Sequence, residues 1–154
     1  MHDYFDETIT CARGCQHWGV HGAAGVLVHH DGQVLLQQRG AGHHTGTWAA
    51  PGGAIELGET PEQAALREAG EEVAGFPEIG PLTLAHVTDH GGWSYSTFLA
   101  EASERTPVAP ADWESLDIAW VDLERVPQLR LHPGFGKSWS QLVDQLTREL
   151  SRAA

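Results

Sequence analysis

Glu68, Glu71 and Glu72 are three acids at i, i+3 and i+4 inside a segment that the local sequence commits to a helix. Thr60-Pro61-Glu62-Gln63 supplies an N-cap threonine, a proline at the first helical position and a capping-box glutamine, so a helix runs from Pro61 to about Val73. On that helix the three carboxylates share one face and repel one another. The ordinary outcome of such a run is a solvated acidic face, with Arg67 paired to Glu71 one turn on. The alternative is a seat for Mg2+ or Mn2+, since these hard cations take oxygen ligands at this density.

The segments on either side define a mixed fold. Ala23 to Val28 and Gln33 to Gln38 are apolar-rich runs flanking an Asp31-Gly32 turn, which predicts a β-hairpin. A loop from Gly40 to Thr47 leads through Trp48 into Pro51-Gly52-Gly53, where the chain must bend sharply ahead of the helix. Leu82 to Val87 and Trp93 to Ala100 flank Gly91-Gly92 and predict a second hairpin, and Ile118 to Val121 adds a strand. Trp139, Leu142, Val143, Leu146 and Leu150 fall on one face of a C-terminal helix that packs on the sheet. Strands and helices mixed in this way predict an α/β (α+β) chain, an α/β/α sandwich with a mixed sheet.

With 154 residues, 41% of them hydrophobic, the chain is long enough for one core and short for two. It reads as a single domain over 1–154, with residues 1–19 as an N-terminal extension and 20–152 as the folded core. Two cysteines exclude a disulfide scaffold. An acid-bearing start without an apolar leader, and no apolar run near the roughly 18 residues of a span, point to a cytoplasmic protein and away from membranes. A net charge of −12 disfavours a nucleic-acid polymer as partner. A small nucleotide could be held only with divalent cations between carboxylates and phosphates.

The spacing Gly53-x5-Glu59-x7-Arg67-Glu68-x2-Glu71-Glu72 decides between the two readings of the acidic helix. It resembles the signature of the Nudix hydrolases, G-x5-E-x7-R-E-U-x-E-E-x-G-U with U a bulky aliphatic residue. A chance match at these six positions is on the order of one in ten million per starting point. The order of hairpin, Pro-Gly-Gly turn, helix, hairpin, strand and final helix is also similar to that family. Three positions depart: Ala69 is smaller than the usual aliphatic, Ala74 stands in place of glycine, and Gly75 in place of an aliphatic. Only Gly75 can adopt a left-handed cap cheaply, so the helix is expected to extend through Ala74.

The resemblance implies divalent-metal-dependent hydrolysis, with Mg2+ or Mn2+, of a nucleoside diphosphate linked to another moiety. The favoured substrate is a nucleoside triphosphate, as in the MutT-like branch. The alternatives are ADP-ribose or a nucleotide sugar, or a non-catalytic nucleotide-binding module. It further implies that Glu71 and Glu72 bind metal, that Glu68 binds metal or orients the attacking water, and that the Gly52 carbonyl is a further ligand. Arg67 joins the three glutamates in the catalytic set, with Glu59 and Gly53 supporting it. MutT-type members draw another carboxylate from the loop before the late strand. Glu114 matches, with Asp112 and Glu101 as competitors. The partners expected are a small-molecule nucleotide and, at most, a second copy of the chain: monomer or homodimer.

Substrate selection must come from outside this box. Trp48, Trp93, Tyr95 and Phe98 could stack a base, and alternation places Trp93 and Tyr95 on one face, although each singly reads as core filler. Arg39 at a strand end could reach a phosphate or lie exposed. His43-His44 sit in the loop before Trp48 and read first as solvated. Cys11-x3-Cys15-x-His17-x3-His21 has four metal-ligand residue types, but the cysteine spacing is not the usual C-x2-C, so the sequence alone assigns no zinc there.

Overall fold

The structure, a computed structural model, describes residues 8–18 and 20–153. Strands β1 (Thr8–Thr10) and β2 (Gln16–Trp18) form a short antiparallel hairpin. Strands β3 (Ala23–His30) and β4 (Gln33–Arg39) follow, joined through Asp31 and Gly32, both at positive φ. That is the geometry an Asp-Gly hairpin turn supplies. Next come β5 (Trp48–Ala49), β6 (Gly52–Ala54), helix α1 (Pro61–Glu72) and β7 (Val73–Ala74). The second hairpin is β8 (Thr83–Asp89) and β9 (Ser94–Glu101). Then β10 (Ala109–Pro110), β11 (Ser115–Asp122), a 3-10 turn (Leu123–Gln128) and α2 (Pro133–Ala153) complete the order.

The main sheet runs β11-β4-β3-β9-β8, with β5 added to β4 and β6 to β3. The two hairpins meet through a parallel β3–β9 pairing from Ala23↔Tyr95 to His29↔Glu101, and the other pairings in this sheet are antiparallel. The sheet is therefore mixed, as expected.

Alternation along β3 divides the core between the faces. Val26 and Val28 pack with Ala64, Ala65 and Ala69 of α1, while Leu27 packs with Trp139, Leu142 and Leu146 of α2. An α/β/α sandwich results. The α1 seam is built of alanines, which lets the helix axis approach the sheet closely, so the small Ala69 fits a seam where it is fully buried. No helix among the described residues is long and apolar enough to cross a membrane.

Two details correct the sequence reading. Ala74 is not helical: α1 ends at Glu72, and Val73 and Ala74 turn extended to pair with Pro110 and Ala109. The N–H of Ala111 donates to the Glu72 carbonyl, satisfying the helix end from a distant loop instead of by another helical residue. Gly75 does take the left-handed conformation, at φ 80°. Leu150, read as part of the packed face of α2, is 41% exposed, at the edge of an open cavity that it lines with His29, Leu99 and Ala100 of the sheet.

Candidate active site

The site begins where β3 divides its partners. Its C-terminal end pairs with β4 (His29↔Val34) and its N-terminal end with β6 (Ala24↔Gly53, Gly25↔Gly52), so the Pro51-Gly52-Gly53 turn is wedged into the opening. The N–H of Val26 donates to the Pro51 carbonyl and fixes the turn (3.0 Å). Only glycine fits there. A Cβ on Gly53 would strike the Glu68 carboxyl, and one on Gly52 would strike the Ala24 carbonyl and the Tyr95 hydroxyl.

Against this turn α1 lays its acids. Its start is the capping box the sequence predicts, with the Gln63 N–H donating to Thr60 Oγ1 and the Thr60 N–H to Gln63 Oε1. The phase so set turns Glu68 and Glu72 inward beside Ala65 and Ala69, at 4% and 7% exposure, while Glu71 stands at the rim. Arg67 is the hub of the group. Its Nε and Nη2 donate to the two oxygens of Glu59 (2.7 and 2.9 Å), Nη1 donates to Glu68 Oε1 (2.9 Å), and Nη2 also reaches the Ala54 carbonyl (3.0 Å). Glu71 Oε2 lies 3.5 Å from Nη1, the i+4 pair of the solvated-face reading. The fork holds Glu59 below the usual carboxylate range and pushes Arg67 further up.

Glu72 is the anomalous group. Its Oε2 is buried and has no hydrogen-bond partner among the described residues. Burial, then the charges of Glu68 and Glu114, push its pKa up to about 9, against a hydrogen bond from the Gly52 backbone. A proton here does what a cation would do better. An orphaned carboxylate oxygen among crowded acids is a donor set that fits a hard divalent ion. Of the three competing loop acids, Glu114 is the one whose charge acts on Glu72. Asp112 instead accepts the Glu114 N–H (2.8 Å) and shapes its turn, and Glu101 is exposed at the far end of β9.

The aromatic candidates separate. Phe98 is 4% exposed in the α1-side core, which removes it from substrate contact, because alternation on a central strand turns it under the helix. Trp48 is partly buried against the α2-side core. Tyr95 carries its hydroxyl beneath the Gly52 turn. Burial and the charge of Glu72 raise its pKa, while Arg39 acts the other way, so Arg39 also belongs to this neighbourhood. Trp93 stacks on His17 (3.8 Å, 8°). His43 and His44 are exposed, with the His44 ring against His132 (4.9 Å). The sequence reading overlooked Trp113, 74% exposed next to Glu114. A large aromatic in a Pro- and Ala-rich loop beside a candidate ligand was the available signal.

The profile of the NUDIX domain matches residues 19–142. The chain belongs to the NUDIX domain family. A Mycobacterium tuberculosis Nudix relative named 8-oxo-dGTP diphosphatase 3 is 40% identical over 149 residues, which cover 89% of this chain and 68% of that protein. Among solved structures, the Nudix hydrolase RenU from M. smegmatis superposes with a TM-score of 0.80 at 37% identity, covering 93% of this chain and 96% of its own. A MutT Nudix hydrolase from Burkholderia pseudomallei gives 0.65 at 27% identity, covering 79% and 97%. By family and by these relatives the chain is a Nudix pyrophosphohydrolase.

Proposed function

We propose that Glu68, Glu71, Glu72, Glu114 and the Gly52 carbonyl hold Mg2+ or Mn2+, and that the site hydrolyses a nucleoside triphosphate, foremost one with an oxidised purine. The observation that carries the metal seat is the buried, unpartnered Glu72 Oε2 beside the equally buried Glu68. The substrate reading leans on the relative named 8-oxo-dGTP diphosphatase 3. When bound, the ion offsets phosphate charge and lowers the pKa of the attacking water.

The side chains divide the remaining work. Arg67 fixes the Glu68 carboxyl through one oxygen, and Glu59 fixes Arg67, so Glu68 presents its other oxygen in one rotamer to ligate or to orient water. Arg39, near Tyr95, is positioned to meet phosphate charge. Trp113 offers an exposed face for a base.

The test is a panel of canonical and oxidised nucleoside triphosphates, ADP-ribose, nucleotide sugars and dinucleoside polyphosphates, with Mg2+ and with Mn2+, scored by product identity. An oxidised purine triphosphate should give the highest kcat/KM, with the nucleoside monophosphate and pyrophosphate as products. A clear preference for ADP-ribose or a nucleotide sugar would overturn the substrate reading.

A further inference from the structure

A second set of ligand-bearing side chains stands apart from the acidic box. Cys11 and Cys15 flank the turn of the β1–β2 hairpin, His17 lies on β2, and His90 comes from the turn between β8 and β9, 75 residues beyond Cys15. One ligand atom from each converges on a common point, all within 4.8 Å of one another. Cys15 Sγ is 2.7 Å from Cys11 Sγ, 3.1 Å from His17 Nε2 and 3.5 Å from His90 Nδ1, and the two histidine nitrogens are 3.1 Å apart.

We propose that Cys11, Cys15, His17 and His90 form a closed, four-ligand zinc site that fastens the β1–β2 hairpin to the turn between β8 and β9.

The donors select the ion. Two sulfurs and two imidazole nitrogens are the set that tetrahedral zinc takes, whereas Mg2+ and Mn2+ want oxygen. With Zn–S near 2.3 Å and Zn–N near 2.0–2.1 Å, a tetrahedron needs edges of about 3.3–3.8 Å, so the shortest edge must open and the longest close by about 1 Å each. Four protein ligands leave no open position, which makes the site structural rather than catalytic.

The backbone is already arranged for it. The Cys11 N–H donates to the Cys15 carbonyl (3.0 Å) and the Gly14 N–H to the Cys11 carbonyl (2.9 Å), a tight loop that turns both sulfurs the same way. The hairpin is seated on the other turn by Ala12 N–H donating to the Gly91 carbonyl (2.8 Å) and Arg13 Nη2 to the Asp89 carbonyl (3.2 Å). Trp93 covers one side by stacking on the His17 ring. His21, which the linear spacing offers as the fourth ligand, is exposed and outside the cluster. His90 takes that place, and no sequence spacing could reveal it. Fixing the turn before β9 also fixes Trp93 and, two residues on, Tyr95 beneath the Gly52 turn.

The full chain, grown with zinc and purified in reductant without chelator, should carry about one zinc per chain by metal analysis. Exchange for Co2+ should give the thiolate-to-cobalt charge-transfer band, which carboxylate ligation cannot produce. His90→Ala and Cys15→Ala should each weaken Co2+ binding roughly tenfold or more, with Cys15→Ala also losing about half of the band's intensity, while His21→Ala leaves both unchanged. Thiol titration of the wild type, which depends on no variant, should show Cys11 and Cys15 protected until a chelator is added. The proposal is overturned by a wild type that takes up no zinc on reconstitution, by a Cys11–Cys15 disulfide persisting in reductant, or by metal retained in His90→Ala and lost in His21→Ala.

Discussion

The carboxylate nest and the Cys/His cluster each crowd ligand atoms together, but one is anchored in the core and the other is not. Glu68 and Glu72 ride on α1, whose Ala64, Ala65 and Ala69 are fully buried, and they face a turn inserted into the central sheet. The nest would keep its shape without an ion, because packing holds the helix and Arg67 holds Glu68. Three of the four cluster ligands ride on a short hairpin that rests on the neighbouring turn by few main-chain bonds. There the ion itself would be a principal constraint. Anchorage therefore decides what a ligand variant damages: chemistry in the nest, local order in the cluster.

The largest effect should come from Glu68→Gln. Turnover should fall roughly 10²–10⁴-fold while the melting temperature shifts little, since the lost pairing of Glu68 with Arg67 is offset by the lost repulsion between Glu68 and Glu72. Kinetics alongside thermal unfolding checks this. A parallel loss of fold would mean that the nest, too, depends on its ion for shape. Arg67→Lys should land between the two behaviours, because the lysine cannot reproduce the fork onto Glu59 and the bond to the Ala54 carbonyl. About 10–100-fold in kcat and about 1–3 kcal/mol of stability are expected together.

What was legible in the sequence follows the same division between local and distant causes. Asp31-Gly32, Gly91-Gly92 and the Thr60 capping box act over a few residues, and the elements they predict are present. The six-position box was legible because its acids, Arg67 and Gly53 lie on one helix and the turn before it. The parallel β3–β9 pairing, the β7–β10 contact that pulls Ala74 out of α1, and His90 beside Cys15 all join residues far apart in the chain. No local pattern encodes them. Phe98 reads singly as core filler and is core, and stacking stood beside that reading because periodicity names a strand face without saying which layer covers it.

A purely structural change gives a smaller effect. Gly75→Ala must hold alanine at positive φ with its Cβ driven into the Pro107 carbonyl, which should cost about 1–3 kcal/mol in chemical denaturation. Turnover per folded molecule should be unchanged, because Gly75 lies past the last acid of α1; a matching loss of kcat would show that the helix end is coupled to the ligands.

The smallest effect lies outside both clusters. His132 precedes α2, and its Nδ1 accepts the Gly134 N–H (3.1 Å). Burial, then the charges of Arg39 and His44, lower its pKa to about 4. The unfolded chain takes a proton near pH 6.5 that the folded chain refuses, so this group's contribution is present above pH 6.5 and lost as pH falls toward about 4. His132→Asn keeps the acceptor without titrating, and the stability difference between the two proteins should shift in its favour across that window. A difference that is flat with pH would place the histidine in water.

Seating of the divalent ion in the nest is tested by Mn2+ binding to the zinc-loaded protein, read as loss of the free-ion paramagnetic resonance signal. The wild type should bind Mn2+, and Glu72→Gln should weaken that binding roughly tenfold or more while the fold, followed by circular dichroism, stays intact. Equal Mn2+ affinity in the two proteins would mean that Glu72 does not hold the ion.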